Sequence, residues 1–143
     1  MKKHTDTTPE SKKMFEENFY ENDKVTMLNL VKFRKVADYT DLEHIKPEKE
    51  LSGEDAYQLL MNKLLPHLTN VGAKILYYGK SKHFLIGPES EKWDAVVLVE
   101  HLTVSKFKEF SQSEGHLQNA GHRTAALEDY RLLPLTEMKV NSI

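Results

Sequence analysis

The sequence predicts an α+β domain of the ferredoxin-like type, with an antiparallel sheet of four strands and an extra N-terminal helix. Three observations lead to this prediction. Strand-like and helix-like patterns alternate in the order β-α-β-β-α-β, two strands are apolar on both faces, and polar capping residues precede the helical patterns. Residues 1–22 are assigned to an N-terminal extension with a short helix, 23–138 to the ferredoxin-like domain and 139–143 to a tail.

The composition indicates a globular, cytoplasmic protein. Of its 143 residues, 29% are charged and 39% hydrophobic, and the formal net charge is -2, so no concentrated positive face for nucleic acid is expected. The chain has no cysteine, which excludes disulfides and thiol chemistry and fits a reducing compartment. No apolar run approaches the roughly 20 residues that span a bilayer, and Met1 to Pro9 does not resemble a secretory signal, so no membrane contact is expected.

A short helix and the first strand open the chain. Thr8 followed by Pro9 is typical of a helix start, and the apolar spacing over 10–20 predicts an amphipathic helix. Residues 25–33 predict a strand that is covered on both sides. One face carries Val25, Met27, Asn29, Val31 and Phe33, and the other carries Thr26, Leu28, Leu30 and Lys32.

The middle of the chain predicts a long loop, a helix and two short strands. Residues 34–51 are charged and irregular, and loops of this length are often functional. Ser52 is expected to cap a helix that Pro66 kinks and Gly72 ends. Strands are expected over Ala73–Tyr78 and His83–Ile86, joined by a hairpin or a bulged bend.

The last third predicts a strand, two helical pieces and a final strand. Alternation is clearest over Trp93–His101, and Thr103 is expected to cap the next helix. A second helical piece follows from about Glu114 to Asp129, and the last strand runs from Tyr130 to Leu135, where Pro134 suits a strand end or an edge strand.

In a ferredoxin-like fold the helices cover one face of the sheet, so the other face is bare. Here that face is expected to carry Leu28, Leu30, Val96 and Leu98, or the residues that alternate with them. A contiguous apolar patch of this kind marks an interaction surface, and a two-fold pair is its simplest partner. The sequence therefore predicts a homodimer through the sheet face.

The chain resembles the family catalogued as domain of unknown function 1330, in the dimeric α+β barrel superfamily. The resemblance covers roughly Val25 to Leu135 and rests on an ordered set of motifs: Asn29 to Arg34, Ala37 with Tyr39, Ser52-Gly53 with Ala56-Tyr57, Leu85 to Pro88, Trp93-Asp94 with Leu98 to Glu100, and His122 to Asp129. It implies a ferredoxin-like fold and a homodimer whose two sheets form a barrel. Relatives in the superfamily include monooxygenases that need no metal and isomerase-like proteins, which is an analogy of fold only. Where the family often ends the third strand with an aromatic residue, this chain has His101.

Two polar features of the first strand are candidates for ligand contact. Asn29 is an amide on an apolar face, so it either bonds a neighbouring loop backbone or lines a cleft between sheet and helices. Lys32 and Arg34 leave the opposite face, either as charges that are solvated or ion-paired at the strand end or as a clamp for a carboxylate.

His122 and Arg123 stand side by side in the last helical piece. Arg123 either pairs with Glu100, Asp94 or Asp129 or contacts a ligand, because a buried arginine needs a partner. His122 is the candidate catalytic acid or base, since its ordinary pKa lies near neutrality.

Trp93 and Tyr57 complete the candidate ligand-binding set. Trp93 is either a core anchor or a ligand contact, and the Tyr57 hydroxyl could face a pocket. His116 and His122 are six residues apart and do not share a helical face, so no metal site is expected. No glycine-rich phosphate loop or nucleophile elbow is present, and no cofactor is expected.

Two functional hypotheses follow. In the first, each protomer holds a small apolar or carboxylate-bearing ligand between sheet and helices, under the 34–51 loop or the N-terminal helix. Its chemistry would be cofactor-free oxidation or isomerase-like proton transfer. In the second, the chain is a non-catalytic dimerisation or ligand-binding module, and its polar residues pair with one another and leave no cavity.

Overall fold

The computed structural model describes residues 3–140, and the last three residues of the predicted tail, 141–143, lie outside this range. Within it the chain forms, in order, α1 (Pro9–Asn18), β1 (Val25–Phe33), α2 (Gly53–Asn70), β2 (Lys74–Lys80), β3 (Ala95–His101), α3 (Val104–Ser111), α4 (Glu114–Ala126) and β4 (Leu127–Leu135). No helix in the described range is long and apolar enough to cross a membrane.

The four strands form one antiparallel sheet in the order β2-β3-β1-β4. β1 lies at its centre, where it pairs with β3 on one side and β4 on the other. The order and the connections through the helices are those of a ferredoxin-like fold. The predicted fold class is therefore confirmed, and α1 is an addition to it.

The helices begin where the sequence predicts. The hydroxyls of Thr8, Ser52 and Thr103 each accept a hydrogen bond from a backbone N–H of the first turn that follows. α2 continues past Pro66 to Asn70, and Gly72 follows with a φ of 73°, a conformation that favours glycine.

Two apolar clusters lie between the sheet and the helices. The larger joins α2 and α4 to the sheet, and Val31, Leu60, Val97 and Leu127 belong to it. The smaller contains Val25, Met27 and Val104, with Phe15, Phe19 and Phe107 packed against them. α1 and α3 therefore cover one end of β1, and α2 and α4 cover the other.

The opposite face of the sheet has no helix on it. The alternate residues of β1 and β3, Leu28, Leu30, Val96 and Leu98, are only partly buried. Two further apolar residues paired with this face are more exposed, Tyr77 at 60% and Leu133 at 53%. An apolar patch of this extent is unusual on the surface of a lone protomer.

The predicted strand over His83–Ile86 is wrong. These residues form a loop in which Leu85 and Ile86 are 94% and 91% exposed. A strand needs a partner, and β3 begins only at Ala95, which pairs with Lys80 at the end of β2. Trp93 accordingly lies outside the strand that was expected to start there.

The predicted boundary between the last helix and the last strand is also wrong. The helix ends at Ala126 rather than near Asp129, and β4 begins at Leu127 rather than at Tyr130. Leu127 and Asp129 pair with Phe33 and Lys32 of β1, and these ladder contacts outweigh the helix propensity of the segment.

Candidate functional site

Asn29 occupies a gap between the two apolar clusters. On its face of β1 it lies between Met27 of the smaller cluster and Val31 of the larger one. Its amide nitrogen donates to the backbone carbonyl oxygens of Met27, at 3.3 Å, and Val97, at 3.1 Å. The structural interpretation of Asn29 predicted a neighbouring loop backbone as its partner. The nitrogen of this half-buried amide is instead bound by the backbone of two strands, while its oxygen faces Tyr130.

Tyr130 and Arg123 extend this polar contact away from the sheet. The hydroxyl of Tyr130 donates to Oδ1 of Asn29. The guanidinium carbon of Arg123 lies 4.8 Å from the centre of the Tyr130 ring, a cation–π arrangement. Asn29, Tyr130 and Arg123, with Tyr57 close by, are called the inner cluster below.

Arg123 does not form the expected ion pair with Glu100, Asp94 or Asp129, so that expectation is wrong. Its guanidinium donates instead to the backbone carbonyl oxygen of Thr5, and it makes no ion pair with any residue in the described range. Asp129 is engaged by Arg131, at 2.6 Å.

The N-terminal segment 3–8 contacts the inner cluster through Thr5 and is called the strap. The Lys3 ammonium binds Glu128 at 2.8 Å, and the His4 N–H donates to Asp129 at 2.8 Å. Together with the Thr5 carbonyl on Arg123, these contacts tie the strap to α4 and to the start of β4. The predicted cover was the 34–51 loop or the N-terminal helix, and at Arg123 the structure adds a contact from the segment before that helix.

Tyr57 of α2 closes the other side of the inner cluster. It is only 4% exposed, and the centre of its ring lies 5.6 Å from that of Phe33 and 6.4 Å from that of Tyr78. Its hydroxyl forms no hydrogen bond with another residue of the described range. Burial raises the pKa of this hydroxyl, and the phenols of Tyr130 and Tyr78 raise it further. It is therefore a neutral donor at physiological pH.

Tyr130 is held in the same protonation state. Burial raises the pKa of its hydroxyl to about 12, although the charge of Arg123 acts in the opposite direction. The inner cluster thus combines one permanent cation with neutral phenols, which is suited to stabilising an oxyanion.

His122 faces away from the inner cluster. Its Nδ1 lies 2.8 Å from the hydroxyl of Tyr39, in the 34–51 loop, and the ring is 4% exposed. Burial lowers the pKa of His122, and Lys63 lowers it further. Successive residues of a helix point about 100° apart, which explains why His122 and Arg123 do not share a site.

His122 lines an open groove of about 720 Å³ on the outer side of the helices, called the outer groove. Its walls come from the 34–51 loop, α2 and α4. The polar lining residues are His44, Lys63, Gln118, Asn119 and His122, and the apolar ones are Ile45, Pro47, Leu59 and Leu117.

Three predicted ligand contacts lie elsewhere. Lys32 is on the other face of β1 and is 3.6 Å from Glu128. The exposed Arg34 joins elements through its backbone, where its N–H donates to Ala126 and its carbonyl accepts from Gly53. Trp93 is buried with the guanidinium of Arg131 over its ring, at 5.0 Å from the ring centre, and belongs to neither of the two apolar clusters. Of the predicted ligand-binding set, the structure brings together Asn29, Arg123 and Tyr57.

Three residues of these sites were missed in the sequence. Tyr130 is predicted only as the start of a strand, and Tyr39 only as part of a family motif with Ala37. Lys63 carries no local pattern that separates it from other helix residues. Within the described range no three His, Cys, Asp or Glu side chains come close enough to hold a metal ion.

No family model matches the chain, and no curated protein does, so membership of the domain of unknown function 1330 family is not confirmed. Two crystal structures of RPA0582, a protein of unknown function from Rhodopseudomonas palustris, are similar over almost the whole chain. One is 32% identical with a TM-score of 0.84 and covers 97% of this chain and 100% of that chain. The methylated RPA0582 protein is 33% identical with a TM-score of 0.85, and the match covers 99% of this chain and 100% of that chain.

A more distant structure shares the fold alone. The putative antibiotic biosynthesis monooxygenase from Caulobacter crescentus is 12% identical with a TM-score of 0.50, covering 88% of this chain and 99% of that chain. Only RPA0582 combines high structural similarity with substantial identity among these proteins. The chain therefore belongs to the same family as RPA0582, whose function is unknown.

Proposed function

We propose that the chain binds a small apolar molecule with an anionic or carbonyl oxygen at the inner cluster, between its sheet and helices. The observation that carries this proposal is the guanidinium of Arg123, which meets no carboxylate in the described range and donates to the Thr5 carbonyl instead. A guanidinium without an acidic partner keeps its full capacity for an anionic oxygen.

The rest of the inner cluster supplies matching groups. Tyr57 is a largely buried residue whose hydroxyl donates to no residue in the described range, and the Tyr130 ring lies against the Arg123 guanidinium. The Asn29–Tyr130 hydrogen bond fixes the orientation of that ring. A ligand oxygen in place of the Thr5 carbonyl would accept from Arg123 and from Tyr57, while its apolar body would lie against the aromatic rings.

The reaction class that this arrangement supports is chemistry through an enolate or phenolate, as in isomerase-like proton transfer or cofactor-free oxidation. Both need an oxyanion that is stabilised away from bulk water, a role that this proposal gives to Arg123 and Tyr57. The Caulobacter protein named as a putative monooxygenase has the same fold, which makes the fold compatible with such chemistry without assigning it.

We further propose that the protein is a homodimer through the bare sheet face, so that each dimer has two inner sites. Support comes from the apolar patch around Leu28, Leu98 and Leu133, which a second copy would cover by two-fold symmetry. We also propose a cytoplasmic location, which suits a chain without cysteine. We further propose that the RPA0582 family lies within the domain of unknown function 1330 family.

A coloured phenol tests the inner site. p-Nitrophenol is titrated with the protein at a pH at which part of the phenol is ionised, and its phenolate absorbance is followed. We expect binding to increase the phenolate fraction, because the Arg123 charge favours the anion. Arg123→Gln should weaken binding by about tenfold or more, since a charge-assisted hydrogen bond is lost.

Two further variants keep the test decisive. Arg34→Gln is the matched control, because Arg34 is exposed and contacts its neighbours through the backbone, and it should bind like the wild type. Tyr57→Phe removes a hydroxyl without a protein partner, so it should fold normally and bind more weakly. Equal phenolate signals in wild type, Arg123→Gln and Tyr57→Phe would overturn the proposal.

The second function, a non-catalytic dimerisation module, is favoured by one observation, the saturation of the Asn29 amide by backbone carbonyls and Tyr130. In that case the sheet face would still dimerise, but p-nitrophenol would give no signal that depends on Arg123.

A further inference from the structure

We propose that the outer groove is a second small-molecule site, which takes an apolar carboxylate with Lys63 and His122 as its polar contacts. The groove lies on the far side of α4 from the inner cluster and is lined by different residues. The proposal is therefore independent of the function proposed above.

The charge of the groove selects an anion. Its lining includes Lys63, His44 and His122 and no carboxylate. Lys63 forms no ion pair with another residue between 3 and 140, so its ammonium is free to bind an anion. A cation at the mouth of a groove that lacks an acid is complementary to a carboxylate or a similar anion.

The remaining wall of the groove selects an apolar body. Ile45 of the loop, Leu59 of α2 and Leu117 of α4 line it, and Leu117 is 62% exposed. The volume of about 720 Å³ lies within the range in which proteins bind small molecules. A ligand that covers Leu117 while its carboxylate reaches Lys63 would bury this apolar surface and pair the free charge.

His122 is fixed in a position to take part. Its Nδ1 is engaged by the Tyr39 hydroxyl at 2.8 Å, which leaves Nε2 as the ring nitrogen available to a ligand. The ionisable groups around the ring are Tyr39 and His44 of the loop and Lys63 of α2, and none of them is acidic. Burial and then Lys63 lower the pKa of His122, so a bound carboxylate should raise it.

Benzoate and its neutral analogue benzamide test this site by NMR titration of the full-length protein. We expect benzoate to shift the signals of His122 and Leu117, to raise the pKa of His122, and to bind at least about fivefold more tightly than benzamide, a difference near 1 kcal/mol. Lys63 is exposed, so Lys63→Gln should fold normally and lose this preference.

The control variants separate the two sites. Lys74→Gln removes an exposed lysine that does not line the groove and should leave benzoate binding unchanged. Arg123→Gln should also leave these His122 and Leu117 shifts unchanged, even if it abolishes the binding of p-nitrophenol. Equal binding of benzoate and benzamide, or an unchanged benzoate preference in Lys63→Gln, would overturn the proposal.

Discussion

The hydroxyl of Tyr39 lies 2.8 Å from Nδ1 of His122 and joins the 34–51 loop to α4. Both side chains are buried, at 8% and 4% exposure, and their rings meet edge-on with centres 5.6 Å apart. A loop without regular structure is thereby anchored to a helix by a side-chain contact, in addition to the backbone hydrogen bonds of Arg34 and Asp38 to the end of α4. The same contact builds one wall of the outer groove and orients the imidazole that lines it.

Loss of this contact should destabilise the protein. Tyr39→Phe leaves Nδ1 of His122 buried without a partner, which costs about 1–2 kcal/mol of unfolding free energy. Urea denaturation should therefore show a lower midpoint with an unchanged slope. Tyr20→Phe is the matched control, because Tyr20 is 68% exposed and its loss should leave the midpoint in place. An unchanged midpoint in Tyr39→Phe would contradict the anchoring role.

Removal of the strap should open the inner cluster. A variant that lacks residues 2–7 retains the helix cap Thr8 but loses the Thr5 carbonyl that occupies Arg123. We expect p-nitrophenol to bind several-fold more tightly, because it no longer competes with that carbonyl. The titration is the phenolate assay described above. Weaker or equal binding in the truncated chain would mean that the strap is not a competing occupant.

The structure predicts a loss of stability in mild acid. Burial lowers the pKa of His101 from 6.5 to about 4, and its Nδ1 has no hydrogen-bond partner in the described range. Below about pH 6.5 the unfolded chain takes up a proton here, while the folded ring stays neutral down to about 4. The contribution of neutral His101 to the free energy of unfolding is therefore complete above about pH 6.5 and is lost between about pH 6.5 and pH 4. The whole contribution is about 3 kcal/mol.

His101→Phe should flatten this pH dependence. His101 packs with ring centres 5.0 Å from Phe107 and 6.0 Å from Phe110, so a phenyl ring suits the same position. The unfolding free energy, measured by urea denaturation between these pH values, should depend less steeply on pH than in the wild type. The decrease in slope should correspond to the uptake of up to one proton on unfolding. His83 is exposed, so His83→Phe should retain the wild-type slope. A wild-type slope in His101→Phe would refute this source of acid sensitivity.

The homodimer depends on the bare sheet face. Leu133→Glu places a charge on that face, opposite Leu28, and should convert the dimer into a monomer at micromolar concentration in light scattering. Leu65→Glu makes the same change on α2, at a side chain that is 50% exposed against 53% for Leu133. It should remain dimeric. A wild-type protein that is monomeric at micromolar concentration would contradict the proposed assembly.

The fold could be predicted well from the sequence because strand alternation and helix caps are visible within a few neighbouring residues. The alternation in β1 and β3 and the caps Thr8, Ser52 and Thr103 identify elements without knowledge of their neighbours. The start of β4 was missed because Leu127 is drawn into the sheet by pairing with a distant residue, Phe33.

The sites depend on such distant contacts and were predicted only in part. Asn29 stood out because an amide interrupts an apolar face. The partner of Arg123 could not be inferred, since Thr5 lies 118 residues away in the chain and acts through a backbone atom that no side-chain pattern reveals. His122 and Arg123 were placed in one site because they are adjacent, although helix geometry turns them apart.

The inner site is best tested by a crystal structure of the protein with p-nitrophenol. We expect the phenolate oxygen to lie within hydrogen-bond distance of Arg123 and Tyr57 and the Thr5 carbonyl to have left the guanidinium. A ring bound elsewhere, with the Thr5 carbonyl still on Arg123, would contradict the proposed inner site.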